Sequence, residues 1–171
     1  MVDVVDAATR SRMMAGIRSH NTNPETLIRK GLHARGFRYS LTTKDVPGKP
    51  DLVLPKWRTV VLVHGCFWHW HGCALSKMPA SNAEFWRLKL TANKRRDEAV
   101  KRLLAADGWR IVTVWECATR GKSAREKLPS VLDCLARWIR DPNNSPTLEL
   151  ALNVATETPR IVMQSGKKND N

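Results

Sequence analysis

Runs of branched apolar residues bounded by polar turns predict the strands of this chain. The stretches DLVL (51–54) and TVVLV (59–63) are separated by four turn-forming residues, a spacing that predicts a β-hairpin. The segment FRYSL (37–41) predicts a short strand before this hairpin, and WRIVTVW (109–115) predicts a buried strand after it. The chain should therefore contain a central sheet, and the hairpin should lead directly into the loop at 64–73.

Capping residues predict a helix before the hairpin, over about residues 23–35. Either Asn23 is its N-cap, with proline at the first turn, or Thr22 and Glu25 form a capping box. Gly36 should end this helix.

Two further helices are expected in the second half of the chain. A long basic helix should follow Asn82 and cover roughly residues 83–106. The last helix carries apolar residues three and four positions apart, and Pro129 should lie in its first turn. These apolar residues are Leu128, Val131, Leu132, Leu135, Trp138 and Ile139.

The order helix, three strands, long helix, strand, helix predicts an α/β (α+β) fold, in which helices flank a mixed central sheet. One domain over residues 21–140 is sufficient for these elements. Residues 141–171 show weak periodicity and follow a polar break, so we expect them to form a loosely attached tail.

The charge of the chain favours a polyanionic partner. Its 171 residues include 29 Lys and Arg against 16 Asp and Glu, a formal net charge of +13. The excess lies in residues 1–140, because residues 141–171 hold three basic and four acidic side chains. Nucleic acid is the first candidate, although acidic proteins and anionic membranes also attract basic surfaces.

Nothing in the sequence indicates secretion or membrane insertion. The N-terminus is polar, and the longest aliphatic run, residues 60–63, is far too short to span a bilayer. We therefore expect a cytoplasmic protein, in which cysteines serve as metal ligands or free thiols rather than disulfides.

The loop HGCFWHWHGC (64–73) has the composition of a metal site, with three histidines and two cysteines in ten residues. Cys66, His71 and Cys73 can supply three of the four ligands of a tetrahedral zinc ion. Cys117 is the best candidate for the fourth, because it follows a strand expected to adjoin the strand that ends at this loop. A zinc ion held by four protein ligands is structural.

Two points of this zinc assignment stay open. Spacing alone does not exclude His64 or His69 in place of His71. Cys134 is a poorer candidate, because it lies on the edge of an apolar helical stripe, where a thiol usually packs as a small hydrophobic group.

The pair Pro50-Asp51 opens one predicted strand, and His64 ends the next. This is similar to the core of restriction-type nucleases, where Pro-Asp precedes an acidic-x-Lys element on the adjacent strand. Here that element reads Leu62-Val63-His64, so Asp51 would be the one carboxylate of this pattern available to Mg²⁺. By itself, the Pro-Asp pair is better explained as a turn that starts a strand.

Four elements together resemble the very-short-patch-repair (Vsr) mismatch endonucleases: Asp51, the loop at 64–73, EFW at 84–86 and VWEC at 114–117. The likeness spans about residues 3–140. It implies a restriction-endonuclease-like core with one structural zinc site. It also implies an enzyme that recognises a T:G mismatch left by deamination of 5-methylcytosine and nicks the DNA 5′ of the thymine, which initiates very short patch repair.

The resemblance further implies roles for individual residues. Asp51 and the main-chain carbonyl of Val63 would hold Mg²⁺, although some relatives carry a hydroxyl residue at position 63. His69, held by Glu25, would be the general base, and His64 would lie near the scissile phosphate. Without the resemblance, Glu25 is equally well explained as a capping residue. The implied zinc ligands are Cys66, His71, Cys73 and Cys117.

The likeness also implies how DNA is held. Phe67, Trp68 and Trp86 resemble a wedge that enters the base stack at the mismatch. Residues 1–20 resemble a DNA-clamping helical segment, with Met14 and Ile17 facing the opposite groove. The implied phosphate contacts are Arg10, Arg12 and Arg18. Core packing is expected for Trp57, Trp109, Trp115 and Trp138, whereas Trp70 is left unassigned.

Two other functions retain part of the pattern. A zinc-stabilised DNA-binding module without catalytic activity would not need Asp51 or His69. A restriction-like nuclease acting on matched DNA would keep all the chemistry and differ only in what the aromatic rings recognise. Nicking one strand needs one active site, so we expect a monomer, and the sequence names no repair-protein partner.

Overall fold

The computed structural model describes residues 20–41, 44–152 and 159–163, together with positions 6, 8, 9, 12 and 16. Its centre is a five-stranded mixed sheet with the strand order β1-β2-β3-β4-β5. The strands are β1 (Leu52–Leu54), β2 (Thr59–His64), β3 (Arg110–Trp115), β4 (Thr147–Leu152) and β5 (Pro159–Met163). The central pairs β2–β3 and β3–β4 are parallel, and the outer pairs β1–β2 and β4–β5 are antiparallel.

Helices cover both faces of this sheet, as the sequence predicts. The helices are α1 (Asn23–Ala34), α2 (Ala83–Ala106) and α3 (Lys122–Arg140). On one face, α1 and α3 pack against residues such as Val61, Val112 and Leu148. On the other face, Leu104 of α2 packs against Val60 and other apolar residues of the strands. The mixed sheet flanked by helices is therefore confirmed.

The hairpin and the first two helices match their predicted positions. Leu54 of β1 pairs with Thr59 of β2, and a short 3-10 turn joins the two strands. Helix α1 begins after Thr22, which forms a capping box with Glu25, so the second of the two predicted caps is the one adopted. Helix α2 follows Asn82, as predicted, although the Asn82 side chain makes no capping hydrogen bond.

The prediction of a strand over residues 37–41 is wrong. Only Ser40 pairs with the sheet, through an isolated bridge in which Ser40 and Val53 exchange two backbone hydrogen bonds of 2.8 and 2.9 Å. Phe37 instead buries its ring with the α1 and α3 side chains. The apolar residues that suggested a strand thus pack a loop against the helical layer.

The placement of Pro129 in a first helical turn is also wrong. Helix α3 begins at Lys122, so Pro129 lies in its interior. The apolar stripe that predicted the helix starts at Leu128, and its residues belong to the core beneath the sheet. The polar turns before the stripe are helical as well, and they carry no periodic apolar signal.

Residues 147–152 and 159–163 are strands of the sheet, so the expected loose attachment does not hold for these two parts of the segment after Arg140. Strand β4 pairs in parallel with β3 over four residues, and Leu148 and Leu150 are completely buried. The Lys101 ammonium group of α2 lies 2.9 Å from a Glu149 carboxylate oxygen, which ties β4 to the helix above it. None of the helices in the described ranges is long and apolar enough to cross a membrane.

Candidate active site and zinc-type cluster

A cleft of about 580 Å³ opens where β2 ends, between the sheet, the first turn of α1 and the middle of α2. Parallel pairing places His64, the last residue of β2, beside Trp115, the last residue of β3. The predicted catalytic residues Glu25, Asp51 and His69 all line this cleft, together with His64 and Val63. Residues that are distant in sequence therefore meet at one edge of the sheet.

Asp51 enters the cleft from the start of β1. One of its carboxylate oxygens accepts a hydrogen bond of 2.6 Å from the backbone N–H of Val63. A residue's N–H and carbonyl point to the same edge of a strand, so the Val63 carbonyl lies on this edge too. Leu52 and Val61 form the last strand pair before this point, so Val63 lies two residues beyond the paired ladder.

The surroundings of Asp51 suit a cation. Burial raises the pKa of Asp51 to about 6, against the lowering effect of the Val63 N–H, and the nearby Glu25 carboxylate raises it further. A bound cation would offset both effects. Carboxylate and carbonyl oxygens are the ligands that Mg²⁺ prefers, and this ion commonly uses only one or two carboxylates. The donor set therefore fits Mg²⁺.

The carboxylate partner of His69 is Asp97 of α2. The Nδ1 atom of His69 lies 2.6 Å from an Asp97 carboxylate oxygen. An ionised carboxylate only accepts hydrogen bonds, so Nδ1 carries the proton and the Nε2 atom of a neutral ring is left as the acceptor. The expected contact between His69 and Glu25 is thus replaced by one with Asp97.

Glu25 is held by the start of its own helix instead. Its buried carboxylate accepts hydrogen bonds from the Asn21 backbone N–H at 2.9 Å and from the Thr22 hydroxyl at 2.8 Å. Arg29, one turn later, forms an ion pair with it at 2.7 Å. Glu25 is therefore both a capping residue and a wall of the cleft.

His64 lies between the cleft and the rest of the loop. Its ring stacks on the His69 ring, with centroids 3.8 Å apart and planes within 6° of each other. Burial lowers the pKa of His64 to about 3, and the adjacent His69 lowers it further. His64 is therefore neutral near pH 7, so no charged ring lies against His69.

The four residues predicted to bind zinc form a cluster beside the cleft. The ligand atoms of Cys66, His71, Cys73 and Cys117 all lie within 4.8 Å of one another. The Nδ1 atom of His71 is 3.6 Å from the Cys66 sulfur and 3.7 Å from the Cys117 sulfur. Zinc with ligands at its usual bond lengths would separate sulfur and nitrogen by roughly 3.5 Å, so the cluster fits zinc.

The alternatives for the zinc ligands are resolved by position. His64 and His69 belong to a separate group with Asp97. Cys134 packs at the edge of the α1 and α3 core, away from the cluster, where burial raises the pKa of its thiol. In the absence of metal, a hydrogen bond with the Cys117 thiol and burial raise the pKa of Cys66. A bound zinc ion would reverse that direction, because it binds the thiolate.

Trp115 lies between His71 of the zinc-type cluster and His64 of the cleft. Its ring stacks on His71 with centroids 4.1 Å apart, and it contacts His64 edge-on at 5.3 Å. Trp115 is buried, as are Trp109 and Trp138. Trp57 is partly buried and packs against the core. The expected core role of these four tryptophans is therefore confirmed.

The residues predicted as a wedge form one aromatic cluster at the mouth of the cleft. The ring centroids of Phe67 lie 5.2 Å from those of both Trp68 and Trp86. Phe85, with 56% of its surface exposed, continues this cluster outward, and the Lys89 ammonium group lies about 5.5 Å above three of the rings. A cation over partly accessible rings suits an anionic aromatic partner.

The predicted contacts from the first twenty residues are mostly untested. Met14, Ile17, Arg10 and Arg18 lie outside the described residues. Arg12 is described and exposed, and its guanidinium group donates to the Thr9 hydroxyl at 3.2 Å.

Sequence reasoning missed Asp97, Asn93 and Glu116. Asn93 donates to the Trp68 carbonyl at 3.0 Å, and Glu116 accepts a 3.3 Å hydrogen bond from the Cys66 N–H. One signal was available on α2, since Asn93 and Asp97 are four positions apart and therefore share one face. Nothing local showed that this face meets the loop at 64–73.

Comparisons with known proteins agree with this architecture. A family model described as DNA mismatch endonuclease Vsr matches residues 2–75. The type II nicking enzyme V.XorIIP of Xanthomonas oryzae is 43% identical over 134 residues, which are 78% of this chain and 98% of that protein. The type II nicking enzyme V.NmeAIP of Neisseria meningitidis is 42% identical over 142 residues, covering 82% and 99%.

The DNA mismatch endonuclease Vsr of Escherichia coli is 41% identical over 141 residues, which are 81% of this chain and 88% of that protein. These similarities extend over most of each relative. The residues matched by the family model include the loop at 64–73. The chain therefore belongs to the Vsr family of DNA mismatch endonucleases.

Proposed function

We propose that this endonuclease recognises a T:G mismatch in double-stranded DNA and nicks the strand 5′ of the thymine, in a Mg²⁺-dependent reaction that starts very short patch repair. The observation that carries the proposal is the single cleft that holds Asp51, His64 and His69 beside a half-buried aromatic cluster. All these groups come from one chain, so it acts as a monomer, in the cytoplasm where the DNA lies.

Asp51 and the Val63 carbonyl would hold Mg²⁺, which when bound polarises the scissile phosphate and offsets charge on the leaving oxygen. The neutral Asp51 carboxyl must lose its proton before it binds a cation, and its pKa of about 6 allows this near neutral pH. Glu25, on the opposite wall, accepts hydrogen bonds that fix its own position and so shapes the cleft around Asp51.

His69 takes the proton of the attacking water. Asp97 accepts from Nδ1, so Nε2 is the basic atom, and neutral imidazole is an effective general base near pH 7. His64 stacks on this ring and, being neutral, adds no repulsion when His69 becomes protonated. The buried position of His64 at the end of β2 keeps the two rings parallel.

Cys66, His71, Cys73 and Cys117 would bind a structural zinc ion that fixes the loop at 64–73. This loop has no regular secondary structure of its own, and it carries both the general base and two wedge rings. These ligands would join the two ends of the loop to the turn after β3 through the zinc ion, and so would align His69 and Trp68 relative to the sheet.

The aromatic rings of Phe67, Trp68 and Trp86 would enter the base stack at the mismatch. A mismatched step costs less to unstack than a paired one, and rings inserted there hold the duplex open at a cost of a few kcal/mol. The mismatch is thus selected by the energy of deformation as well as by contacts.

The deciding experiment is cleavage of a strand-labelled duplex, T:G-mismatched or fully paired, by the zinc-loaded protein and its Asp51→Ala variant. We expect one nick 5′ of the mismatched thymine that requires Mg²⁺ and is absent for Asp51→Ala. The mismatched duplex should still bind to the variant, because the aromatic cluster that would hold the duplex does not include Asp51.

Each competing function has its own result in this assay. Equal nicking of the paired duplex would identify a restriction-like nuclease for matched DNA. Binding without nicking in every flanking sequence would identify a DNA-binding module without catalytic activity.

A further inference from the structure

A second cavity, of about 300 Å³, lies between the loop at 64–73 and the outer face of α2. We call it the Trp70 pocket, and its lining residues are Trp70, Gly72, Thr91, Lys94, Arg95 and Glu98. The four α2 residues follow the spacing of a single helical face. They lie on the opposite side of the helix from Asn93 and Asp97, so this pocket is separate from the catalytic cleft.

Trp70 is held in an unusual conformation at this pocket. Its backbone φ is +46°, in the left-handed region that bulky residues rarely adopt. Its half-buried ring belongs to none of the core clusters, and it stacks with no other aromatic ring among the described residues. Strain of this kind persists where surrounding structure enforces it, and it often marks a ligand site.

The three charged side chains of the pocket are unpaired within the described residues. In the described part of the chain, no hydrogen bond or ion pair engages the side chains of Lys94, Arg95 or Glu98. Lys94 and Glu98 are four positions apart on α2, yet they do not pair with each other. Two cationic groups and one acceptor therefore surround an indole face.

We propose, on the basis of the proposed function, that the Trp70 pocket binds one nucleotide of the DNA flanking the mismatch. The base lies against the Trp70 indole, and its phosphate lies between Lys94 and Arg95. A carboxylate in the pocket would disfavour a simple anion, whereas Glu98 can accept a hydrogen bond from a base amino group. The combination thus suits a nucleotide better than a free phosphate.

The location of the pocket supports this ligand. Trp70 is two residues from the wedge residue Trp68 and next to the general base His69, and Lys94 adjoins Asn93, which binds the Trp68 carbonyl. The pocket is therefore formed in part by the same loop that carries the wedge and the general base. The Trp70 pocket would anchor the strand beside the mismatch and add to the affinity.

The test measures binding of the zinc-loaded full chain to a labelled T:G duplex by fluorescence anisotropy without Mg²⁺, so that the DNA stays intact. The duplex is prepared in a series in which one base at a time near the mismatch is replaced by an abasic site. Wild type is compared with Trp70→Ala, Trp70→Phe, a Lys94→Ala/Arg95→Ala double variant and Arg137→Ala. Arg137 is an exposed cation of α3, on the other face of the sheet.

We expect Trp70→Ala to weaken binding by about 5-fold to 100-fold, and Trp70→Phe to retain most of the affinity. At one abasic position, wild type should lose the same factor, and Trp70→Ala should then have no further effect. The Lys94→Ala/Arg95→Ala variant should lower the slope of log affinity against log salt by about 2, whereas Arg137→Ala should leave it unchanged.

The proposal would be overturned if Trp70→Ala weakened binding equally on every abasic duplex, or if it weakened binding on none of them. An unchanged salt slope for the Lys94→Ala/Arg95→Ala variant would do the same, and this variant keeps the test decisive if Trp70→Ala does not fold. Failure of the proposed function shows separately, as equal wild-type affinity for mismatched and paired duplexes. The abasic series on the paired duplex then still tests the nucleotide pocket.

Discussion

Asp97 decides which nitrogen of a neutral His69 ring is left as the acceptor. Its carboxylate lies 2.6 Å from Nδ1 and so holds the proton there, which leaves Nε2 to accept a proton within the cleft. The two residues are far apart in sequence, and the contact forms only because α2 crosses the loop at 64–73. Orientation and tautomer of the base thus depend on one hydrogen bond.

Replacing Asp97 by Asn should lower the nicking rate of the enzyme–DNA complex by roughly 10²-fold to 10⁴-fold, because Asn can hold the wrong tautomer of His69. Single-turnover nicking at saturating protein measures this rate, and anisotropy measures affinity separately. Affinity should change little. Glu126→Gln, an exposed substitution on α3, is the control and should nick at the wild-type rate.

Asp51 also makes stability depend on pH. The pKa of Asp51 is about 6 in the folded protein against an ordinary value of 3.8, so the folded state binds more protons than the unfolded state between these values. Stability therefore falls as pH rises from about 4 to 6, and the cost of the buried charge is fully present above pH 6.

We expect Asp51→Asn to stabilise the Mg²⁺-free protein by on the order of 2 kcal/mol at about pH 7.5, and by clearly less at about pH 4.5. Urea unfolding of the zinc-loaded protein at both pH values measures the difference. Asp45→Asn, at an exposed position, should show no such dependence. A gain that is equal at both pH values would contradict the assigned cause.

The loop at 64–73 is positioned by its contacts rather than by its own secondary structure. Cys66 is completely buried, and the Cys117 backbone N–H donates to its sulfur at 3.4 Å. The Glu116 carboxylate accepts from the Cys66 N–H, and Trp115 stacks on His71. The loop is thus joined to the turn after β3, and loss of the metal cluster should release His69 from its place.

Cys117→Ser should lower the zinc content from about one ion per chain and reduce nicking at least 10-fold, because an oxygen ligand replaces a thiolate in a sulfur-rich site. Elemental analysis of purified protein measures zinc, and the cleavage assay measures nicking. Cys134→Ser is the matched control, and it should keep both. Equal zinc content in the two variants would remove Cys117 from the ligand set.

The central sheet combines strands from the first and the second half of the chain. β3 lies at the centre, with β2 on one side and β4 on the other, both parallel to it. β4 contributes Leu148 and Leu150 to the core shared with α1 and α3. The residues after Arg140 therefore help to support the layer that carries Glu25.

Leu148→Ala should lower the free energy of unfolding by about 2–5 kcal/mol, the usual cost of a cavity at a fully buried leucine. The measurement is urea denaturation of the zinc-loaded protein. Leu103→Ala removes a leucine of α2 that is 57% exposed, and it should cost far less. Similar losses for the two variants would mean that β4 does not contribute to the core as described.

Local patterns were sufficient for most elements and for the three cysteines of the Cys/His cluster, but spacing alone left His64 and His69 open in place of His71. The hairpin, the long helix and the capping box depend on neighbours within a few residues, where turn chemistry and helical spacing act directly. Cys66, His71 and Cys73 lie within one loop, and Cys117 follows a strand with a strong apolar signal. The loop composition and Asp51 were also sufficient for the family resemblance.

Contacts between distant segments were decided only by the tertiary structure. The pairing of Asp97 with His69 requires the crossing angle of α2, and the place of β4 requires the open edge of β3. Both depend on long-range packing, which short-range periodicity does not encode. The same holds for Phe37, whose apolar neighbourhood predicted a strand although the helical layer takes its ring, because burial there outweighs the local preference for extended pairing.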